Sequence, residues 1–491
     1  MIDGDRIEDR QRQYDAPIRI VQFGEGNFLR AFWGKAVHEL NVSGDYRGQI
    51  AVVQPIEHGK ADLLNAQGCL YTCALESEET SEVVLIESVK EAVNPYHDYD
   101  RFLTLAREDE LQVIISNTTE AGIVLDPSDK VDARPPSSFP GKLLAFLYER
   151  YRYVNGDAGK GLLLFPCELI EDNGKKLKEV LVALADVNGL EEGFITWLVE
   201  ANTFYSTLVD SIVTGFPAGE IDTYSEALGY RDDLLVKAEP YRLLMVQGDE
   251  SKASGFPIGR SSLDVVWSED LNRYREIKVR LMNGFQTILS HYGFFCSIET
   301  EREAILNPVV GQSMVRALNT LLLPTVSDRR GGEEFIQLML ARLTNPRIEH
   351  VLTDINLNSF TKFQTRVVPS LLHYRCSGRL PEFFLFALAL VLSYYSVVEK
   401  GLKGQWYGVF QGRRYQVFDD PNILDELYRL REAERKDSYV RQVMESRHLW
   451  RQNVELSDEE VAVVARYMES IRDGDAIDVD VWSGADTMNS E

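Results

Sequence analysis

The sequence predicts an α/β chain, in which a Rossmann-type doubly wound parallel sheet is followed by a mainly α-helical C-terminal domain. Three observations predict it. Short β-rich runs alternate with helical stretches through the first half; a Gly-Glu-Gly turn joins the first of these runs to the first helix; and beyond about residue 260 the β-branched runs thin out and helical spacing takes over.

The strand candidates are IRIVQF (18–23), QIAVVQ (49–54), LQVIISN (111–117) and GLLLFP (161–166). Their near-continuous apolar character is that of parallel strands covered on both faces. NFLRAFWGKAVHEL (27–40) and FPGKLLAFLYERYRYV (139–154) are long enough to serve as crossover helices. In the second half, SMVRALNTLLL (313–323), EEFIQLMLARL (333–343) and the run 383–398 carry helical spacing. The expected organisation is a polar lead-in (1–16), a Rossmann-type domain (17–260), a helical domain (261–473) and an acidic tail (474–491).

Composition narrows the functional classes. At 491 residues the chain exceeds one ordinary core. A formal net charge of -25 argues against nucleic acid or an anionic membrane as the main partner, so an anionic small substrate must meet local cations. The five scattered cysteines indicate neither a disulfide framework nor a metal site, and fit a reducing compartment. The first 16 residues lack the apolar stretch of a secretory signal, which makes the expected location cytoplasmic. The longest uncharged apolar run, Phe383 to Val398, has 16 residues against the ~20 that span a bilayer, and reads as a buried core helix.

The first βα turn is the first candidate site. Gly24 and Gly26 allow a tight turn and close approach to a pyrophosphate, while the helix that follows offers unpaired N–H groups. Leu29 occupies the place of the usual third glycine, and a plain structural turn is an equal reading of these residues alone. Arg30 is either a phosphate contact or a solvated helix residue. The second strand ends on Gln54 rather than an acidic ribose ligand, with Glu57, His58 and Lys60 close behind. Ser116 to Gly122 follows the strand at 111–117, at the sheet edge where ligands bind. The second candidate is the helix predicted over 275–293. Ile277, Leu281, Phe285, Ile288 and Tyr292 form its apolar stripe, and Met282 and Leu289 widen that stripe past Lys278. A lysine so placed loses hydration, which lowers its pKa toward general-base range. Its alternative is a snorkelling side chain with a packed stem. Gln286 lies on the same flank and Asn283 one flank further.

Several segments together resemble the mannitol dehydrogenase family of long-chain polyol dehydrogenases: QFGEGNFLRAF (22–32), VVQPIE (52–57), SNTTEAGI (116–123), PCELIEDNG (166–174), ANTFYSTLVDSIVTGFP (201–217), KVRLMNG (278–284) and LNSFTKF (357–363). Within the family, the chain is most similar to the branch that reduces tagaturonate. The resemblance implies reversible NAD-dependent reduction of a ketouronate to an aldonate such as altronate, with no catalytic metal. Reduction of fructuronate or oxidation of a polyol is the second expectation, and a nucleotide-binding homologue without chemistry the third.

The family pattern of Lys, four residues, Asn, two residues and His places the acid/base on Lys278 and a carbonyl-polarising amide on Asn283, with Gln286 where the histidine is usual. Asn173 is implied as a second donor to the reacting oxygen. Asp210, Gln286 and Lys362 are implied as substrate contacts, Ser211 standing where arginine is usual. For NAD, the implied segment is Ile20, Val21, Gln22, Phe23, Gly24, Glu25, Gly26, Asn27, Phe28, Leu29, Arg30 and Ala31, together with Asn117 and Glu120.

Overall fold

The computed structural model describes residues 7–118, 122–378, 380–401, 404–431, 436–450, 452 and 454–474. It divides into two compact units, Met1–Asn272 and Arg273–Glu491. Glu120 and the tail from residue 475 onward lie outside the described residues.

The first unit is organised by a six-stranded sheet of β1 (Ile18–Phe23), β2 (Gln49–Val53), β3 (Val89–Val93), β4 (Val113–Ser116), β5 (Leu163–Pro166) and β6 (Thr203–Phe204). The spatial order is β3-β2-β1-β4-β5-β6, and every neighbouring pair is parallel. Parallel strands need crossovers, and the crossovers bury both faces. Successive residues of β1 show it: Ile20 belongs to one apolar core and Val21 to the other, both fully buried. Helix α1 (residues 27–43) covers the first face with Phe32, Trp33 and Leu40. Helices α2 (Phe139–Tyr153) and α3 (Asn173–Val187) cover the second, with Leu143, Phe146, Leu177 and Leu181. The strand order reverses between β1 and β4, so the loops leaving their paired carboxyl ends diverge and leave a crevice, the place where open α/β sheets bind ligands.

The predicted fold class is the observed one. Strand β3 was not anticipated, because Lys90 and Glu91 interrupt its apolar pattern; as an edge strand it exposes Lys90 to solvent. Two smaller sheets were also missed. One orders Val213–Gly215, Val236–Ala238, Tyr71–Glu76 and Ser81–Ile86; the other orders Asp264–Ser268, Leu243–Gln247 and Ser206–Asp210.

The second unit is mainly helical. Its central element is α4 (residues 272–295), packed with α5 (Ser359–Arg366) and with α7 (Glu382–Tyr394), while α6 (Val368–Cys376) follows α5 in the chain. α7 takes up the apolar run 383–398 as far as Tyr394, and Val398 beyond it is exposed. Tyr292 of α4 meets its Phe386 edge-on at 5.2 Å, and Tyr467 of α8 (Asp458–Asp473) meets the same ring at 5.2 Å. α8 starts from a capping box of Ser457 and Glu460, whose side chains satisfy each other's backbone N–H. A short antiparallel sheet of Glu399–Lys400, Trp406–Phe410 and Arg413–Val417 is the non-helical part. Among the described residues, no helix is long and apolar enough to cross a membrane.

Candidate active site

In the first unit, β1 ends at Phe23 and the chain turns at Gly24 with φ +121°, a conformation that side chains with a Cβ rarely adopt. A Cβ there would also lie 3.0 Å from Leu29 Cδ1 and 3.2 Å from the Asn117 carbonyl. Gly24 is therefore required by the fold. Gly26 is different: its φ is an ordinary -64°, and a Cβ would meet nothing within 4 Å. It stands directly before α1, whose N-terminus has no side-chain cap. Open space before uncapped N–H groups fits a pyrophosphate.

The segment implied for NAD separates by burial. Glu25, Gly26, Asn27 and Phe28 are at least partly exposed, whereas Ile20, Val21, Gln22, Phe23, Gly24, Leu29 and Ala31 are buried and position the turn. Gln22 Nε2 donates to the Gly24 carbonyl at 2.8 Å, holding the turn from inside. Arg30 is not a solvated helix residue. Only 1 % exposed, it donates to the carbonyls of Glu25 and Leu234 and, at 2.6 Å, to Asn27 Oδ1, so its charge is spent on the protein's own oxygens. Gln54 is likewise committed to its own loop: its amide donates to the Ile56 and Glu57 carbonyls and accepts from the Ala61 N–H.

Across the crevice, Asn117 N–H donates to the Phe23 carbonyl at 3.2 Å, tying the carboxyl end of β4 to that of β1. Glu168, which sequence reasoning did not single out, organises this loop. One carboxylate oxygen accepts from Thr118 N–H and Thr118 Oγ1, both at 3.0 Å, and the other from Ser116 Oγ at 3.1 Å. Burial pushes its pKa up, and the bonds from Thr118 and Ser116 oppose the shift. An acidic residue two positions after a buried strand was the available signal.

Asn173, implied by the resemblance as a donor to the reacting oxygen, is held on the backbone. It is fully buried, and its Nδ2 donates to the carbonyls of Pro166, Glu168 and Thr207 at 2.9, 3.0 and 3.0 Å. Its Oδ1 accepts from Gly174 and Thr207 N–H at 2.9 and 2.8 Å. With both amide hydrogens already on backbone carbonyls, it braces the end of β5 against the strand Ser206–Asp210. Asp210 closes that strand and is buried, and the neighbouring Ser211 Oγ is buried without a hydrogen-bond partner among the described residues.

In the second unit, the lysine helix is not a uniform α-helix. Residues 278–284 form a π-helical segment between α-helical turns, and Lys278 and Asn283 both lie within it. Both are half-buried, Leu281, Met282 and Gly284 face the core, and Gln286 is 6 % exposed. Asn283 Oδ1 is enclosed and has no hydrogen-bond partner among the described residues. Lys362 projects from α5, whose start is held by Asp419: its carboxylate accepts from Phe360 N–H and from Thr361 Oγ1. The lysine's Nζ donates to the Ile355 carbonyl at 2.9 Å, and its charge acts on His291. His291 is buried beside Tyr394, with Nδ1 2.6 Å from the Thr287 carbonyl; burial, then the Lys362 charge, brings its pKa down to about 4, so it is neutral. Lys278, Asn283, Gln286 and Lys362 thus share one unit, whereas Asn173 and Asp210 belong to the other. Among the described residues, no three His, Cys, Asp or Glu side chains are placed to hold a metal ion.

A parallel sheet ordered 3-2-1-4-5-6 with a glycine turn at its switch point is the Rossmann architecture of dinucleotide-binding proteins, and a helical unit bearing a half-buried lysine follows it in the chain. The mannitol dehydrogenase Rossmann domain matches residues 18–259 and the mannitol dehydrogenase C-terminal domain matches residues 270–472, so the chain belongs to the mannitol dehydrogenase family. It is 38% identical to the altronate oxidoreductase of Phocaeicola vulgatus over 463 residues, 93% of this chain and 95% of that one. With the altronate oxidoreductase of Bacillus subtilis it shares 41% identity over 394 residues, 79% of this chain and 82% of that one. The mannitol 2-dehydrogenase of Pseudomonas fluorescens, solved as a ternary complex with NAD and D-mannitol, has the same fold. Its TM-score is 0.77 at 20% identity, covering 94% of this chain and 92% of that one.

Proposed function

We propose that this protein reduces the ketouronate tagaturonate to altronate, reversibly, with NADH as hydride donor and Lys278 as the acid/base. The observation that carries the reading is the presence of Lys278 and Asn283 on one half-buried helical segment, in a chain similar to altronate oxidoreductases over 93% of its length.

The turn at Glu25 to Phe28, with Asn117 opposite, would hold the dinucleotide, and Gly26 leaves space for its phosphates. NADH, when bound, supplies the hydride that reduces the ketone carbon. Protonated Lys278 gives its proton to the carbonyl oxygen as that oxygen becomes a hydroxyl. In the oxidative direction the neutral amine takes the proton back. The Asn283 amide donates to the same oxygen as negative charge builds on it, which is where a fixed donor contributes most. Lys362 supplies a local cation for the substrate carboxylate against the chain's net charge of -25. Gln286 would contact the sugar hydroxyls.

Oxidation of NADH, followed by its absorbance with tagaturonate, fructuronate, fructose and mannitol plus NAD in parallel, tests the proposal. Tagaturonate is expected to give the highest kcat/KM, with the uncharged sugars lower by orders of magnitude because a site built for a carboxylate is left with an unpaired charge. NADH binding without turnover on any ketouronate would overturn it.

A further inference from the structure

On a regular α-helix, residues five apart point about 140° away from each other. Lys278 and Asn283 are five apart, so α-helical winding would send the amine and the amide to different flanks. In a π-helix the backbone hydrogen bond runs from residue i to i+5, and residues five apart become neighbours one turn above each other. Residues 278–284 are π-helical, and this stretch starts at the lysine and ends just past the asparagine.

A π turn is rare because it widens the helix and shifts carbonyls away from their i+4 donors, so something must hold it. Two contacts do so here. Gly284 closes the segment where a Cβ would stand 2.8 Å from the Arg366 carbonyl of α5, closer than a Cβ tolerates, with the Val279 carbonyl in ordinary contact at 3.4 Å. Gly284 has an ordinary φ of -65°, so the requirement is close approach rather than backbone conformation. The Thr287 hydroxyl, one turn on, donates to the Asn283 carbonyl at 2.7 Å and supplies that oxygen with a donor from a side chain.

We infer that the π register over 278–284 brings the acid/base Lys278 and the amide Asn283 onto one face, and that Gly284 and Thr287 are positioning residues that lock this register. The inference rests on the proposed role of Lys278. Neither positioning residue touches substrate; both act through the place they give to Lys278 and Asn283.

Three variants of the full chain test it: Gly284→Ala, Thr287→Val and Thr287→Ser, with Lys278→Ala as reference. Gly284→Ala is expected to lower kcat by about 10²-fold, the scale of a misplacement near 1 Å at a reacting centre, while the NADH Kd stays within about twofold. Thr287→Val should lower kcat with little change in KM, and Thr287→Ser, which keeps the hydroxyl, should restore it. A folded Gly284→Ala with normal kcat overturns the inference, as does equal loss of kcat in Thr287→Val and Thr287→Ser. Should Gly284→Ala fail to fold, the two Thr287 variants decide alone. Activity retained in Lys278→Ala would instead overturn the acid/base assignment, which separates the two failures.

Discussion

At the scale of single residues, two asparagines placed together by family resemblance have opposite environments. Asn173 is saturated by five backbone partners, whereas Asn283 keeps an unpartnered amide oxygen on a half-buried segment. Asn173→Ala should therefore act on stability, by about 2–4 kcal/mol, because it strands buried carbonyls and N–H groups. Urea denaturation would read this loss. Asn283→Ala should leave the denaturation midpoint unchanged and lower kcat by about 10²-fold. The reverse pattern would exchange their roles. Lys278→Ala should lower turnover by orders of magnitude at nearly unchanged NADH affinity, since the amine belongs to the unit without the nucleotide turn. In the wild type, ketone reduction needs the ammonium and alcohol oxidation the amine. The kcat/KM of reduction should thus fall at high pH and that of oxidation rise, and both limbs should vanish in the variant.

At the scale of elements, the β1–α1 turn contains two glycines with different reasons to be glycine. Gly24 is required by its positive φ and by the closeness of Leu29 and Asn117. Gly26 satisfies no demand of the protein itself, since a Cβ there meets nothing. Gly26→Ala is thus expected to leave the melting temperature unchanged and to weaken NADH binding by about tenfold or more, the extra methyl filling space kept for phosphate. Gly24→Ala should lower both stability and affinity. Fluorescence titration with NADH beside thermal melts distinguishes the two, and unchanged NADH affinity in Gly26→Ala would remove the turn from the cofactor site.

At the scale of the whole molecule, each unit buries a neutral histidine, and the two couple folding to pH in the same direction. His38 in the first unit and His291 in the second both have pKa values lowered from 6.5 to about 4, chiefly by burial. In this window the unfolded chain binds more protons than the folded one. Stability therefore falls as pH drops from about 6.5 toward 4, and the loss levels off below 4. For His291 alone the difference between pH 7 and pH 5 is about 2 kcal/mol. His291→Gln should reduce the acid sensitivity of the unfolding free energy by that amount; an unchanged difference between pH 7 and pH 5 would mean that the imidazole is not held neutral.

What the sequence by itself determined is what local pattern encodes. Alternating β-rich and helical runs carry the fold class, because apolar periodicity reports which faces must be buried whatever the partner. The segments shared with a family imply Lys278, Asn283, Gln286 and Lys362 as site residues, because the family's pattern can be laid on this chain position by position. Only the tertiary structure decided matters that depend on residues distant in sequence. Leu234 accepts from the Arg30 guanidinium and Thr207 closes around the Asn173 amide, neither of which local pattern shows. Strand β3 is hidden by Lys90 and Glu91, whose charges are tolerated because the strand lies at an edge. The π turn at Lys278 was invisible to a helical wheel, which assumes 100° per residue throughout.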